Sequence, residues 1–444
     1  MKQSKIDILE KMPIPRAIMN LALPSVLSMI VNILYNLTDT FFIGKLGDPY
    51  QLAAVSISLP VAIFQMAIAG VFGVGGGSYL SRALGKKDFA SAKETTSTAI
   101  FSSAVISIVL GALGILFIPQ ILVAVGASSN TIIPATRYML IILIGSPFTL
   151  LSFTFVQLIR AEGAAKDAMM GLIIGTLVNI LLDPLFIFGF NMGVTGAAVA
   201  TVIGQALGLV YYLSFYLRKR SVAAPSRKYL HLRWQCYKEI LFIGIPASLG
   251  TIMMSIGNTI TYKLASAYGD HSIAAIGVCS RVFSIPIFVF IGIAIGVQPL
   301  IGFNFGARNF PRMKKAISTA IAISMSLGLV FTVLFALFPK MLIAAFIRDP
   351  QIMDIGTVIL KAYVYAIPFA AIGMILMTSL QAMGKALPAL IVALSRQGLV
   401  YLPLIFILNH YFAFNGLVFA LPIADAATTV VSFSFVYFIN KRLR

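Results

Sequence analysis

Runs of about 20 apolar residues recur from one end of this chain to the other, and each is long enough for a helix to cross ~30 Å of hydrocarbon. The runs are continuously apolar, not alternating over segments of about 10 residues, which selects helices over barrel strands. Composition agrees with that reading. Hydrophobic residues make up 59% of the chain and charged residues 11%, against about 25% charged in a soluble domain. No soluble core of this length could hide so much apolar surface. The expectation is an all-α integral membrane protein of about twelve transmembrane helices. The spans fall near 15–43, 51–80, 93–122, 131–160, 167–189, 193–217, 237–264, 274–302, 313–338, 355–381, 386–409 and 415–440.

The opening stretch MKQSKIDILEKMPIPR is polar for too long to be a signal peptide, so the first apolar run reads as a span. The net charge of +19 reads as basic loops against anionic lipid, and not as nucleic-acid binding, because no basic tract carries interleaved aromatics. Cys236 and Cys279 are too few for a disulfide framework. His231, His271 and His410 are scattered, without metal-ligand spacing. Lys and Arg concentrate in alternate loops: Lys2, Lys5, Lys11 and Arg16, then Arg82 to Lys93, Arg160 and Lys166, Arg218 to Lys238, Arg308 to Lys315, Lys385, and Lys441 to Arg444. The intervening loops hold only Lys45, Arg137, Lys340 and Arg348. This asymmetry predicts a multi-pass protein of the cell (inner) membrane with both termini cytoplasmic.

The two halves repeat. At an offset of 221 residues, STAI at 97–100 matches STAI at 318–321, Gly85 matches Gly306, Pro147-Phe148 matches Pro368-Phe369, and Gly163 of RAEG matches Gly384 of QAMG. A shift of one more residue aligns Pro24 with Pro246 and Gly47-Asp48 with Gly269-Asp270. A nearly constant offset over most of a half is a repeat signature. Six spans per half is an even number, so both halves enter from one side, as parallel repeats about an axis along the membrane normal. The expected division is a lobe at 1–217, a cytoplasmic linker at 218–236 and a second lobe at 237–444.

Acidic side chains are costly inside lipid and therefore informative. Of fourteen Asp and Glu, Asp39, Asp183 and Asp425 lie well inside spans. Tyr35 and Asn36 precede Asp39 by one turn on the same face, and Asn179 precedes Asp183 at i−4. Counting ~1.5 Å per residue places Asp39, Asn179, Asp183 and Thr201 at a common depth in the outer part of the first lobe. Two carboxylates, an amide oxygen and a hydroxyl make a hard-oxygen shell for Na⁺. They serve a proton equally, because two carboxylates in a low dielectric cannot both carry charge cheaply. The second half lacks them: Thr261 stands opposite Asp39, and YLPLIFIL holds no acid. The plainer alternative for each acid is a hydrogen-bonded staple between helices, and for Asp425, which has no companion acid or amide, that reading is preferred.

Other features carry less. GVGGGS at 73–78 lacks the lysine and preceding strand of a phosphate loop and reads as close helix packing. Lys263, Arg281, Lys361 and Arg396 fall within spans and read as snorkelling or paired. The methionines and phenylalanines suit an adaptable apolar cavity or a lipid-facing surface.

LALPSVLSMIVNILYNLTDTFFIGKLGD, the glycine-rich second span through SRALGKKD, RAEG, NILLDPLFIFGFNMGVTGAAVAT and FNFGARN together resemble the multidrug and toxic compound extrusion (MATE) family, within its bacterial MepA-like and DinF-like branch, over essentially the whole chain. The resemblance implies two six-helix lobes and secondary active efflux of chemically diverse, often cationic, organic compounds in exchange for H⁺ or Na⁺, with no other cofactor, no enzymatic activity and a monomeric chain in lipid. It implies that Asp39 and Asp183 bind the coupling ion, with Asn179 and Thr201 completing the shell. Tyr138 would be a hydrogen-bonding neighbour, Tyr35, Asn36 and Gln157 supporting or cavity residues, and Pro24 a helix kink. A second-lobe acid familiar from another branch has no counterpart near Thr261. Two rival readings remain at this point. One is a lipid-linked precursor flippase of the same superfamily, favoured by the intramembrane basic residues. The other is an integral membrane enzyme, for which no catalytic cluster is visible.

Overall fold

The computed structural model describes residues 2–443, with side chains from Lys5 onward. Two of the basic residues counted above, Lys2 by its side chain and Arg444 entirely, lie outside the described residues. The chain is helical: α1 (Lys2–Glu10), α2 (Ile14–Gly44), α3 (Pro49–Gly85), α4 (Phe89–Leu116), α5 (Ile118–Ala124), α6 (Ile132–Ile144), α7 (Ser146–Ala161), α8 (Ala165–Pro184), α9 (Val194–Leu217), α10 (Trp234–Ala265), α11 (Asp270–Gly306), α12 (Phe310–Leu337), α13 (Pro339–Ala344), α14 (Pro350–Ala382), α15 (Ala386–Leu394) and α16 (Tyr401–Arg442). Among the described residues, ten helices are long and apolar enough to span a membrane, and the bent pair α6–α7 supplies an eleventh span. The last of the ten, residues 386–442, contains a non-helical residue, Ala413, that divides it in two. That division brings the total to the twelve read from the sequence.

The span expected at 131–160 is not one straight helix. It breaks at Gly145 and bends by 50°, where Pro147 opens α7. A proline's missing N–H is harmless in a first turn. Its repeat partner Pro368 lies inside the unbroken helix α14. The residues before each proline separate the two outcomes: Gly145-Ser146 in the first half, Ala366-Ile367 in the second. Gly145 also packs so near Val202 that its methyl replacement would strike that side chain.

By packing, the chain divides into two compact units. Unit 1 comprises Met1–Lys11 and Leu27–Ser248, and unit 2 comprises Met12–Val26 and Leu249–Arg444. Both boundaries cut through a helix two residues beyond an internal proline, Pro24 in α2 and Pro246 in α10. Helix α2 runs on through Pro24. Within unit 1 the start of α10 packs on α3 so tightly that a Cβ on Gly244 would collide with the carbonyl oxygen of Val71. The Ser248 hydroxyl donates to Ala67 O at 2.5 Å, and Arg82 pairs with Glu239 at 2.9 Å. Within unit 2 the start of α2 packs on α11 in the same manner. A Cβ on Gly296 would meet Ala22 Cα at 2.5 Å, and one on Gly292 would meet Val26 Cα at 2.6 Å. Without side chains at the crossing, helix backbones approach closely and gain dispersion contacts.

Turns between helices follow the repeat. Gly47 and Gly269 both have positive φ (66° and 90°), as do Gly163 and Gly384 (81° and 71°). Glycine takes such angles without a Cβ clash. Asp88 and Asn309 cap α4 and α12 by accepting from the backbone N–H of Ser91 and Arg312. Hydrogen bonds from the Gln51 side chain and the Tyr50 N–H hold the Asp48 carboxyl, at the start of α3, below its ordinary value.

Candidate functional site

The site in unit 1 is built where α2, α6, α8 and α9 meet. Asp183 is the penultimate residue of α8, and Pro184 follows it. Proline removes one N–H from the helical ladder. The chain accommodates this by widening into a π turn at Leu185–Gly189, closed by Phe190 N–H to Leu185 O at 2.9 Å. Such single π turns recur at functional sites. One turn before Asp183, Asn179 is 2% exposed and Asp183 itself is fully buried. The Asn179 Nδ2 donates to Asp183 Oδ1 at 3.3 Å and to Thr201 Oγ1, from α9, at 3.3 Å. The Tyr35 hydroxyl, from α2, lies 3.2 Å from the same Thr201 Oγ1. This chain of contacts links three helices through one hydroxyl.

Three oxygens at this site are buried and have no hydrogen-bond partner: Asp39 Oδ1, Asp183 Oδ2 and Asn179 Oδ1. Buried polar atoms are nearly always paired, so three orphans in one cluster require an explanation. The two carboxylates lie near enough for Asp39 to act electrostatically on Asp183. Tyr35 and Tyr138 each sense the charge of both. Tyr138 packs against the buried apolar cluster of Ile43, Ile187 and Val194. Two carboxylates, an amide oxygen and a hydroxyl are hard donors suited to a small monovalent cation or a proton. Among the described residues, no three His, Cys, Asp or Glu side chains converge as a metal site. A cation here would therefore rest on the mixed oxygen set.

Of the residues singled out from the sequence, Asp39, Tyr35, Asn179, Asp183, Thr201 and Tyr138 come together. Asn36 does not join them. It is exposed, and its amide donates to Asn32 O at 2.7 Å and Asn32 Oδ1 at 2.8 Å along its own helix. Gln157 also lies elsewhere, on α7, where it packs against Gly73 and accepts from Arg160 Nη1 at 2.8 Å. GVGGGS forms the packing seam expected of it, with Gly75, Gly76 and Gly77 all buried. Asp425 is an ion-pair partner of Arg396 at 2.7 Å. The sequence singled out both residues but did not pair them. The available signal was two opposite charges in consecutive spans of one half. Glu162, fully buried, was missed. It accepts from the Ser221 hydroxyl at 2.7 Å and the Val222 N–H at 2.8 Å, which ties the chain after α9 to the α7–α8 turn.

Two helical units built from a repeated set of spans define a multi-pass membrane protein, and the proteins it matches are transporters and not enzymes. The chain belongs to the MatE family, whose profile matches twice, at residues 24–185 and 246–407. It is 32% identical to the multidrug export protein MepA of Staphylococcus aureus strain MRSA252, over all of this chain and 98% of that one. Against the MepA protein of Staphylococcus haemolyticus the identity is 31% over the same coverage. Its fold matches the outward-facing structure of a multidrug resistance MATE family transporter with a TM-score of 0.93 and 24% identity, covering 99% of this chain and 98% of that one.

Proposed function

We propose that the protein is a secondary active multidrug efflux transporter of the cell membrane, working as a monomer with both termini in the cytoplasm. It exchanges organic compounds, cations among them, for H⁺ or Na⁺. Relatives of full-length similarity carry the name multidrug export protein. The observation that carries the coupling site is the trio of buried, unpartnered oxygens on Asp39, Asn179 and Asp183. An arriving cation or proton satisfies these oxygens and neutralises charge held in a low dielectric. The loaded site then favours a different packing of α2 from the empty one. Pro24, two residues from the point where α2 passes from one compact unit to the other, is the hinge at which α2 adjusts.

The cycle is one of alternating access. Open to the outside, the protein takes up the ion at Asp39 and Asp183 and releases drug. Open to the inside, it releases the ion and takes up drug from the cytoplasm or inner leaflet. One elementary charge moving through 100 mV supplies about 2.3 kcal/mol, roughly a fifty-fold concentration ratio. The test is uptake of a fluorescent organic cation into inverted vesicles, driven separately by a pH gradient and by a Na⁺ gradient. Uptake should follow one of the two gradients and fail in Asp39→Asn and Asp183→Asn. Undiminished uptake in both variants would refute the assignment of these residues.

A further inference from the structure

The start of α10, within unit 1, carries an exposed face that joins a basic side chain to an apolar stripe at the edge of its span. The rotation of the helix is fixed from the other side. Cys236, Ile240 and Ile243 recur at i, i+4 and i+7 and are buried. A Cβ on Gly75 would strike Ile240 O, and Glu239 is held by Arg82 at 2.9 Å. That rotation turns Trp234, Lys238, Phe242 and Ile245 outward, at i, i+4, i+8 and i+11 of one helical face. The three apolar ones are 71%, 52% and 44% exposed. Tryptophan concentrates where hydrocarbon meets water. Here it opens the span, and Phe242 and Ile245 lie about 12 and 16 Å further in.

Lys238 stands between them, about 6 Å along the helix from Trp234. A lysine so placed ordinarily extends its stem to bring the ammonium out to water. This one folds the other way. Its Nζ lies over the Phe242 ring, 5.5 Å from the centroid, and among the described residues no carboxylate pairs with it. An aromatic ring at an exposed site substitutes only weakly for water or an anion. The chain just before α10 supplies a second cation. Arg233 is 67% exposed, with its Nε 3.9 Å from Glu94 Oε1, and Glu94 itself is turned inward at 13% exposure. Leu232 holds φ 48° with its side chain 45% exposed. That angle is strained for a leucine, and it presents an apolar group close in sequence to Trp234. The segment is tethered to α4. The Ser226 N–H donates to Ser97 Oγ at 2.9 Å, and the Lys93 ammonium stands over the Tyr229 ring at 5.1 Å. The matching start of α2 has Met12, Arg16 and Asn20 where α10 has Trp234, Lys238 and Phe242. The shared scaffold therefore does not require the two aromatics.

We propose that this face binds one anionic phospholipid, its phosphate between Arg233 and Lys238 and its acyl chains along Trp234, Phe242 and Ile245. Charge and apolar length together select that occupant. A zwitterionic phospholipid brings the same chains but also its own cation, so it gains less from two basic side chains. A soluble anion has nothing to lay along the apolar stripe. A protein surface pressed onto the stripe would bury Lys238 and would have to bring an acid to meet it.

The site rests on the proposed orientation only for naming the cytoplasmic leaflet as the source of the lipid, so its test uses a symmetric bilayer. The purified full-length protein is reconstituted into phosphatidylcholine bilayers. These contain, at equal mole fraction, either phosphatidylglycerol or phosphatidylcholine brominated near the carboxyl end of its acyl chains. Bromine quenches tryptophan on contact, and Trp234 is the only tryptophan in the chain. Brominated phosphatidylglycerol should occupy the site at least about fivefold more readily than brominated phosphatidylcholine. In R233Q/K238Q the two lipids should come within about twofold of each other. R218Q/K219Q removes two exposed cations from the end of α9 and should leave the preference within about twofold of its unmodified value.

Equal quenching by the two lipids in the unmodified protein overturns the proposal, because Trp234 would then report only the general lipid surround. A preference that survives R233Q/K238Q overturns it as well. So does one that R218Q/K219Q abolishes as fully, which would assign it to the diffuse charge of the surface. Quenching by neither lipid overturns it too, because another protein surface, a second copy among them, would then cover the face. The comparison of the two lipids on the unmodified protein needs no variant to fold. Failure of gradient-driven uptake with this preference intact would count against the export reading alone.

Discussion

Unit 1 and unit 2 place the same kinds of helix together and equip them differently. Where the first helix of the first half brings Asp39 toward Asn179, Asp183 and Thr201, the first helix of the second half brings Thr261 to the Tyr401 hydroxyl at 2.6 Å. The Thr261 hydroxyl also reaches Gly257 O, along its own helix, at 2.8 Å. Every polar atom of that unit 2 contact has a partner, whereas the acids of unit 1 retain orphaned oxygens. A satisfied hydroxyl pair is a staple, and an unsatisfied oxygen set is a receptor. The repeat thus supplies scaffold, and the cluster of unpartnered carboxyl and amide oxygens lies on one copy of it.

The largest effect expected from that contrast is on transport. Asp183→Asn should lower gradient-driven cation uptake by at least about tenfold, because a neutral amide cannot exchange a cation's charge. Thr261→Val should change it by less than about twofold, since a neutral staple is worth only about 1 kcal/mol. Placing the acid on the other copy sharpens the contrast. Thr261→Asp in an Asp39→Asn background should not restore uptake, because Asp425, the buried acid of unit 2, is already paired with Arg396. Restored uptake would show that the two copies are interchangeable.

The helix crossings test what the copies share. Gly244→Ala in unit 1 and Gly296→Ala in unit 2 should each lower thermal stability, by about 1–3 kcal/mol, because both methyls enter a neighbouring backbone. Gly44→Ala, whose added methyl would meet nothing within 4 Å, should be neutral or gain up to about 1 kcal/mol. A large loss at one crossing and none at the other, in melts of the purified variants, would show that the repeat does not extend to the packing of its first helices.

A third contrast lies at the turn before each fifth span, RAEG in one half and QAMG in the other. Glu162 accepts two hydrogen bonds from the chain beyond α9, while its repeat partner Met383 is simply buried. Burial pushes the Glu162 carboxyl above its ordinary value, and the bonds from Ser221 and Val222 oppose that shift only in part. The folded state therefore holds this proton more tightly than the unfolded chain. The contribution is complete below the ordinary glutamate value and is lost as pH rises through the raised one. Glu162→Met should cost about 1–3 kcal/mol by stranding the Val222 N–H and should remove that pH slope from the melting temperature. An unchanged slope would assign it to another group.

Much of this was legible in the chain. Hydropathy alone gave the spans, and the repeat offset located glycines, Gly47 with Gly269 and Gly163 with Gly384, that take the same left-handed angles. The i−4 spacing of Asn179 and Asp183 predicted their contact, which is local. Asn36 stays outside the hydrogen-bonded cluster because one turn of spacing fixes a face only to within a helix's width, and Asn32 offers its amide a nearer partner. The bend at Gly145 and the pairing of Arg396 with Asp425 were not legible. The bend turns on Gly145-Ser146 ahead of Pro147, a difference from Ala366-Ile367 that the shared proline hid, and the pairing on a carboxylate 29 residues away.

The smallest expected effect concerns the backbone just before the last span of each half. Gly193 has φ 57° and ψ −138°, and Ala413 has φ 48° and ψ −134°, so both copies make the same sharp turn. Glycine adopts these angles freely, whereas an alanine Cβ meets its own backbone there, at about 1–3 kcal/mol. Part of that strain is offset because alanine loses less chain entropy on folding. Ala413→Gly should therefore stabilise the protein by only about 1 kcal/mol. The reverse change in unit 1 should do more harm than this does good. A methyl on Gly193 would both strain the turn and displace the Gln51 side chain, whose Oε1 accepts from the Val194 N–H at 2.9 Å. If Ala413→Gly instead lowers the melting temperature, the alanine methyl contributes packing in unit 2 that outweighs its backbone strain, and the two turns share a shape for different reasons.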